Sequence, residues 1–110
     1  MSEVNLTFEI HCQRPPWAIK NRFSKFLDSR YRVYVNNDLI TERNWNWDNN
    51  IFLKENIWIN TPINTQHTLK IEPIVYIPEQ AVFTVNDFKI VNVQADITKI
   101  NDLQVNFTLR

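Results

Sequence analysis

A chain of 110 residues that contains no glycine must make its tight turns without the one residue that enters the left-handed region at no steric cost. Phosphate-cradling loops of the P-loop and dinucleotide-binding kinds need glycine backbone, so those two enzyme classes are excluded. Asparagine is the next best occupant of positive φ. Fifteen asparagines stand in the sequence, many of them at predicted turns. Turn-making accounts for them, and AT-rich coding accounts for them equally well.

Between the turns the chain alternates. In residues 3–12, Val4, Leu6, Phe8, Ile10 and Cys12 fall on one face and Asn5, Thr7, Glu9 and His11 on the other, the period of a half-buried strand. Cys12 lands on the apolar side and reads as a small core residue rather than a nucleophile. Pro15 and Pro16 stop this strand, and residues 13–29 lose the alternation, which predicts a short helix or a long loop. The stretch from Tyr31 to Asn60 then organises the rest. Tyr31, Val33 and Val35 oppose Arg30, Arg32 and Tyr34. Asn36-Asn37-Asp38 makes a turn and Leu39 to Arg43 returns, in a register that a one-residue slip would invert. Trp45 and Trp47 are two apart and point the same way if the strand persists. Ile51 to Asn60 is a third strand, with Leu53, Ile57 and Ile59 opposite Phe52, Lys54 and Trp58.

Pro62 closes a loop from Thr61 to Gln66, and His67, Leu69 and Ile71 begin a strand predicted to end at Pro73. Val82 to Val93 reads as a hairpin with Asn86-Asp87 at its tip, pairing Val85 with Phe88 and Phe83 with Ile90. Asn101-Asp102 repeats the device, and Leu103, Val105, Phe107 and Leu109 alternate to the end. Seven or eight short strands joined by tight turns predict one antiparallel β-sandwich over residues 1–110, Ig-like or jelly-roll-like.

Charge and composition narrow the function. Lys+Arg and Asp+Glu are both 12 and the pI is about 6.7, whereas a nucleic-acid binder carries a basic excess to neutralise phosphate. No apolar run approaches the roughly 18 residues of a membrane helix. The opening MSEVNLTFEI shows no secretory signal, and one cysteine makes no internal disulfide, so synthesis in a reducing cytoplasm is expected. No cofactor motif is present.

Few residues offer chemistry. Asp48, Asn49, Asn50 and Glu55 carry oxygen ligands but lack a calcium-loop spacing, so turn chemistry explains them. His11 and His67 form no metal motif, and no nucleophile motif or placed carboxylate pair is visible; an enzyme is not expected. Arg30, Arg32 and Arg43 with Glu42 and Asp38 read as cross-strand ion pairs that protect an edge. Tyr34, Trp45, Trp47 and Trp58 form the most prominent cluster. Tryptophans at such positions fill a core or anchor a protein interface; the alternative is a glycan platform with flanking amides.

The run YRVYVNNDLITERNWNWDNNIFLKENIWIN, closing with HTLKIEPI, resembles small virion structural proteins of marine cyanophages over about residues 30–74. Val-x-Val-Asn and His-Thr-Leu-x-Ile also occur in carbohydrate-binding β-sandwiches, but those carry glycine before the His-Thr pair, where this chain has Gln66. The resemblance implies a particle component such as a capsid decoration, neck or tail accessory protein, made in the host cytoplasm and residing in the virion. Its implied partners are other virion proteins. A homo-oligomer and a glycan are further candidates; nucleic acid and membrane are not. Tyr34, Trp45, Trp47, Trp58, Arg30 and Arg32 are the candidate binding residues.

Overall fold

The computed structural model describes residues 2–14, 29–45, 50–75 and 81–110. It is a β-sandwich of eight antiparallel strands: β1 (Ser2–Gln13), β2 (Ser29–Val35), β3 (Asp38–Trp45), β4 (Phe52–Thr61), β5 (Gln66–Ile74), β6 (Val82–Ile90), β7 (Ala95–Asn101) and β8 (Gln104–Leu109). One sheet runs β4-β1-β6 and the other β3-β2-β5-β8-β7. The helix or loop expected near residues 15–29 lies outside the described residues, except that Ser29 opens β2; no helix occurs among the described residues.

Alternation builds the core. Val4, Leu6, Phe8, Ile10 and Cys12 of β1 face Tyr31, Val33 and Val35 of β2, Leu69 and Ile71 of β5, and Val105, Phe107 and Leu109 of β8, all buried. Each fully buried side chain of this size contributes about 1.5–3 kcal/mol. Aromatic rings tie the two sheets together. Phe88 lies between Phe8 (6.2 Å) and Phe107 (5.5 Å), and Phe83 between Tyr31 (5.6 Å) and the edge-on Trp45 (6.1 Å).

Asparagine and aspartate do the work of the missing glycine. Among the described residues, positive φ occurs at Asn36 (53°), Asn37 (71°), Asn64 (63°) and Asp87 (54°). Asn36 and Asn37 form a two-residue hairpin turn with both centres left-handed, the geometry that matches strand twist.

Asp87 corrects the sequence reading. The segment from Val82 to Val93 is not a hairpin: β6 runs unbroken to Ile90 and pairs with β1 throughout, with Val85 opposite Ile10, Phe83 opposite Cys12 and Ile90 opposite Leu6. Asn86 pairs with Glu9 and Lys89 with Thr7, so Asp87 and Phe88 together oppose Phe8. This bulge shifts the alternation by one residue. Phe83 and Val85 before it, and Phe88 and Ile90 after it, therefore all face the core.

Pro73 does not end its strand either, because β5 continues to Ile74 with Pro73 opposite Tyr31. The pairing of β5 with β8 stops at Lys70, followed by one bond from the Ile71 amide to the Leu103 carbonyl. Proline's missing N–H thus meets no ladder partner on that side. The hairpin predicted at Asn101-Asp102 forms with its two turn residues at Asp102 and Leu103, where the Leu103 amide donates to Asn101 Oδ1 at 2.8 Å.

Candidate functional site

A buried carboxylate braces the two sheets. Glu55 on β4 sits opposite Phe8 and faces inward, while Tyr31 and Arg43 are cross-strand partners in the other sheet. Tyr31 Oη donates to Glu55 Oε1 at 2.9 Å, and Arg43 Nε pairs with the same oxygen. Glu55 is 2% exposed, whereas the Arg43 side chain is half exposed. Burial first, and the Glu55 charge second, push the Tyr31 phenol well above its ordinary value, so it stays a donor. The bond to Glu55 likewise raises Arg43. This carboxylate is held by two donors inside the sandwich, on β4 rather than in the turn that the sequence reading assigned it.

A second buried polar group lies at the end where the Asn36-Asn37 turn meets β5. His67 alternates inward with Leu69 and Ile71, is buried, and stacks on Phe107 at 5.3 Å. The Thr68 amide donates to Asn36 Oδ1 at 3.0 Å, which aims Asn36 Nδ2 at His67 Nδ1 (2.6 Å). Thr65 Oγ1 donates to the Pro62 carbonyl at 2.6 Å and so accepts from His67 Nε2, also at 2.6 Å. The ring is therefore neutral with its proton on Nε2. Burial lowers the His67 pKa, in the same sense.

The six candidate residues from the sequence go to different places. Trp45 is buried at 2% exposure against Phe83. Tyr34, Arg30 and Arg32 face outward from the five-stranded sheet, where Arg32 pairs with Glu42 at 3.1 Å and Glu72 at 3.5 Å. Trp58 faces outward from the three-stranded sheet at 59% exposure. Trp47 lies outside the described residues. Trp45 thus belongs to the core, while Tyr34 and Trp58 face outward from different sheets, so the three do not form one platform. The charged face expected around the hairpin exists at Arg32–Glu42, but half-exposed Arg43 reaches the buried Glu55.

Phe52, placed by the sequence on the face of Trp58 but not named as a candidate binding residue, does share the outward face of β4 with it. It is 53% exposed and stacks on His11 at 4.6 Å. Lys54 and Asn56 stand between the two aromatics on that face, and Asn60 follows Trp58. The even spacing from 52 to 58 was the available signal.

The concavities lined by the described residues are small, and none is mainly apolar. Tyr34, Asn37, Lys70 and Glu72 line a depression of about 200 Å³, next to one of about 410 Å³ lined by Asn36, Asn37, Thr68, Lys70 and Gln104. A third, of about 140 Å³, opens beside His67 between Ile40 and Ile59. None has the apolar lining usual for a small-molecule pocket. Among the described residues, no three His, Cys, Asp or Glu gather as a metal ion would require. Burial pushes the Cys12 thiol up to about 12, which leaves it protonated and unreactive. Comparison with protein-family models, curated proteins and solved structures finds no match to this chain.

Proposed function

We propose that the protein is a non-catalytic structural component of a phage particle, a capsid decoration or other accessory protein that binds the major capsid or the neck or tail proteins. The observation that carries this reading is the outward face of β4, where Trp58 and Phe52 stand more than half exposed on a regular strand. Exposed aromatics held on a rigid element are the usual anchors of a protein interface. The buried polar groups support it too, since Glu55 and His67 are both consumed in bracing the fold. The resemblance over residues 30–74 supplies the particle setting.

Peptide mass spectrometry on gradient-purified virions, quantified against the major coat protein, tests the proposal. Many copies per particle support decoration and a handful support a neck or tail position. Absence from particles overturns it. A second reading, glycan binding, is favoured by one observation: Asn56 and Asn60 flank Trp58 on the same exposed face. That reading expects Trp fluorescence to change saturably with a polysaccharide, and to lose the response in Trp58→Ala.

A further inference from the structure

Among the described residues the two sheets have four edge strands, β3, β4, β6 and β7, and three of the four carry a bulge. On β3, Val33 pairs with Thr41 and Tyr34 with Leu39, leaving Ile40 extra. On β6 the extra residue lies at Asp87-Phe88, and on β7 it is Ile100, between Lys99 and Asn101. The β6 edge is also capped, because the Val85 amide donates to the Asp102 carbonyl at 2.8 Å. Bulges and caps twist or fill a sheet edge and so block edge-to-edge pairing with another chain.

β4 is the exception. It pairs with β1 in unbroken register from Thr61 to Phe52, contains no proline, and among the described residues has no ladder partner on its other side. We infer that this edge pairs with β4 of a second copy of the chain, joining two three-stranded sheets into one of six strands. A two-fold axis perpendicular to the sheet requires each residue to face one of the same parity. Two registers share the greatest overlap, centred on Asn56 and on Ile57. The second sets Lys54 against Asn60, whereas the first sets Lys54 against Trp58 and Asn56 against Asn56 of the other copy, and the first is the one inferred.

That register is complementary on both faces. Outside, Lys54 lies opposite Trp58 of the other copy, twice over. Lys54 has no ion-pair partner among the described residues, and an ammonium over an indole face is attractive. Inside, half-buried Leu53 meets half-buried Ile59 of the other copy and covers its remaining surface. Glu55, an inward charge that would discourage pairing if free, is already held by Arg43 and Tyr31, and it faces Ile57 rather than another carboxylate. Centring on Glu55 instead would set two carboxylates opposite each other, which is unfavourable.

Light scattering and cross-linking on the purified full chain test this inference. The expected mass is twice the 13.2 kDa of the monomer, with dissociation on dilution. Lys54→Glu reverses the charge over the indole and is expected to weaken the dimer roughly tenfold. Cys12 is the sole cysteine and is buried, so engineered thiols report cleanly. Asn56→Cys is expected to form a disulfide dimer on mild oxidation, because it faces itself across the axis, while Thr98→Cys on the bulged β7 edge remains monomeric. A protein that stays monomeric at every concentration overturns the inference. So does a dimer in which Asn56→Cys fails to cross-link, or one in which both cysteine variants cross-link equally. None of these outcomes bears on presence in virions, which is measured separately.

Discussion

Asn36 Nδ2 lies 2.6 Å from His67 Nδ1 and donates to it, so the turn between β2 and β3 is fastened to a ring that must stay neutral. Adding a proton to Nδ1 would set two donors against each other. The His67 pKa is lowered in the fold, so the unfolded chain takes up the proton first. Stability contributed by this group is complete above the unfolded value of about 6.5. It declines as pH falls from there toward the lower folded value. Asp38, which lines the neighbouring depression, is the nearby carboxylate. Urea unfolding midpoints between pH 8 and pH 5, roughly the range spanning histidine titration, are expected to drop in the native chain. In His67→Gln, whose amide can accept from Asn36 and donate to Thr65, that slope is expected to flatten.

The inter-sheet brace predicts an order of effects. Tyr31→Phe removes one donor from a buried carboxylate and is expected to cost about 1.5–3 kcal/mol. Arg43→Met removes the compensating charge. Because the Arg43 side chain is half exposed, water reaches that side, and the loss is expected below the roughly 3–5 kcal/mol of a fully buried pair. Chemical denaturation of the two variants checks both values. A null effect in Tyr31→Phe would mean that Glu55 finds another donor.

Left-handed positions without glycine leave room for improvement. Asn37 at φ 71° and Asp87 at φ 54° occupy conformations that glycine adopts freely. Asn37→Gly gives the preferred Asn-Gly turn and is expected to be neutral or stabilising by up to about 1 kcal/mol. Asp87→Val places a β-branched residue where its Cβ clashes and is expected to cost about 1–3 kcal/mol. Near-UV circular dichroism should register the second change, because Phe88 stacks only while the bulge holds.

The two described candidate tryptophans separate stability from docking. Trp45→Ala empties a core position and is expected to cost about 3–5 kcal/mol. Trp58→Ala, on an exposed face, is expected to change stability by no more than about 0.5 kcal/mol while lowering recovery of the protein with virions. Thermal melts alongside particle mass spectrometry distinguish the two. Normal particle association in folded Trp58→Ala would remove this face from the proposed docking surface.

The strands were legible because each inward row repeats every second residue: Val4 to Cys12, Tyr31 to Val35, His67 to Ile71 and Val105 to Leu109. What escaped were the places where that parity changes. Asn86-Asp87 carries the same residue types as a hairpin tip, since a bulge and a turn both need positive φ. Only the distant strand β1, lying along its whole length, decides between them. The extra Ile40 on β3 has a similar effect: past it, Trp45 is buried and half-exposed Arg43 reaches the buried Glu55. Spacing alone put Trp45 and Trp58 in one aromatic cluster, but it does not say which sheet each belongs to, and that assignment sent them to opposite fates.

β1 is the middle strand of its sheet, yet Leu6 is paired with Ile57 on one side and Ile90 on the other. Of the eight strands it stands earliest in the chain, and it waits across the longest sequence separation for its second partner. During synthesis Val4, Leu6, Phe8, Ile10 and Cys12 wait for residues 52–61 to emerge before β4 arrives, and for residues 82–90 before β6 does. The hairpins β2–β3 and β7–β8 close locally and quickly, whereas the three-stranded sheet waits for the most distant partnerships and sets the pace. During that interval the strand that will bury the most apolar side chains is bare. The hazard of misassembly therefore falls during synthesis rather than in the finished fold.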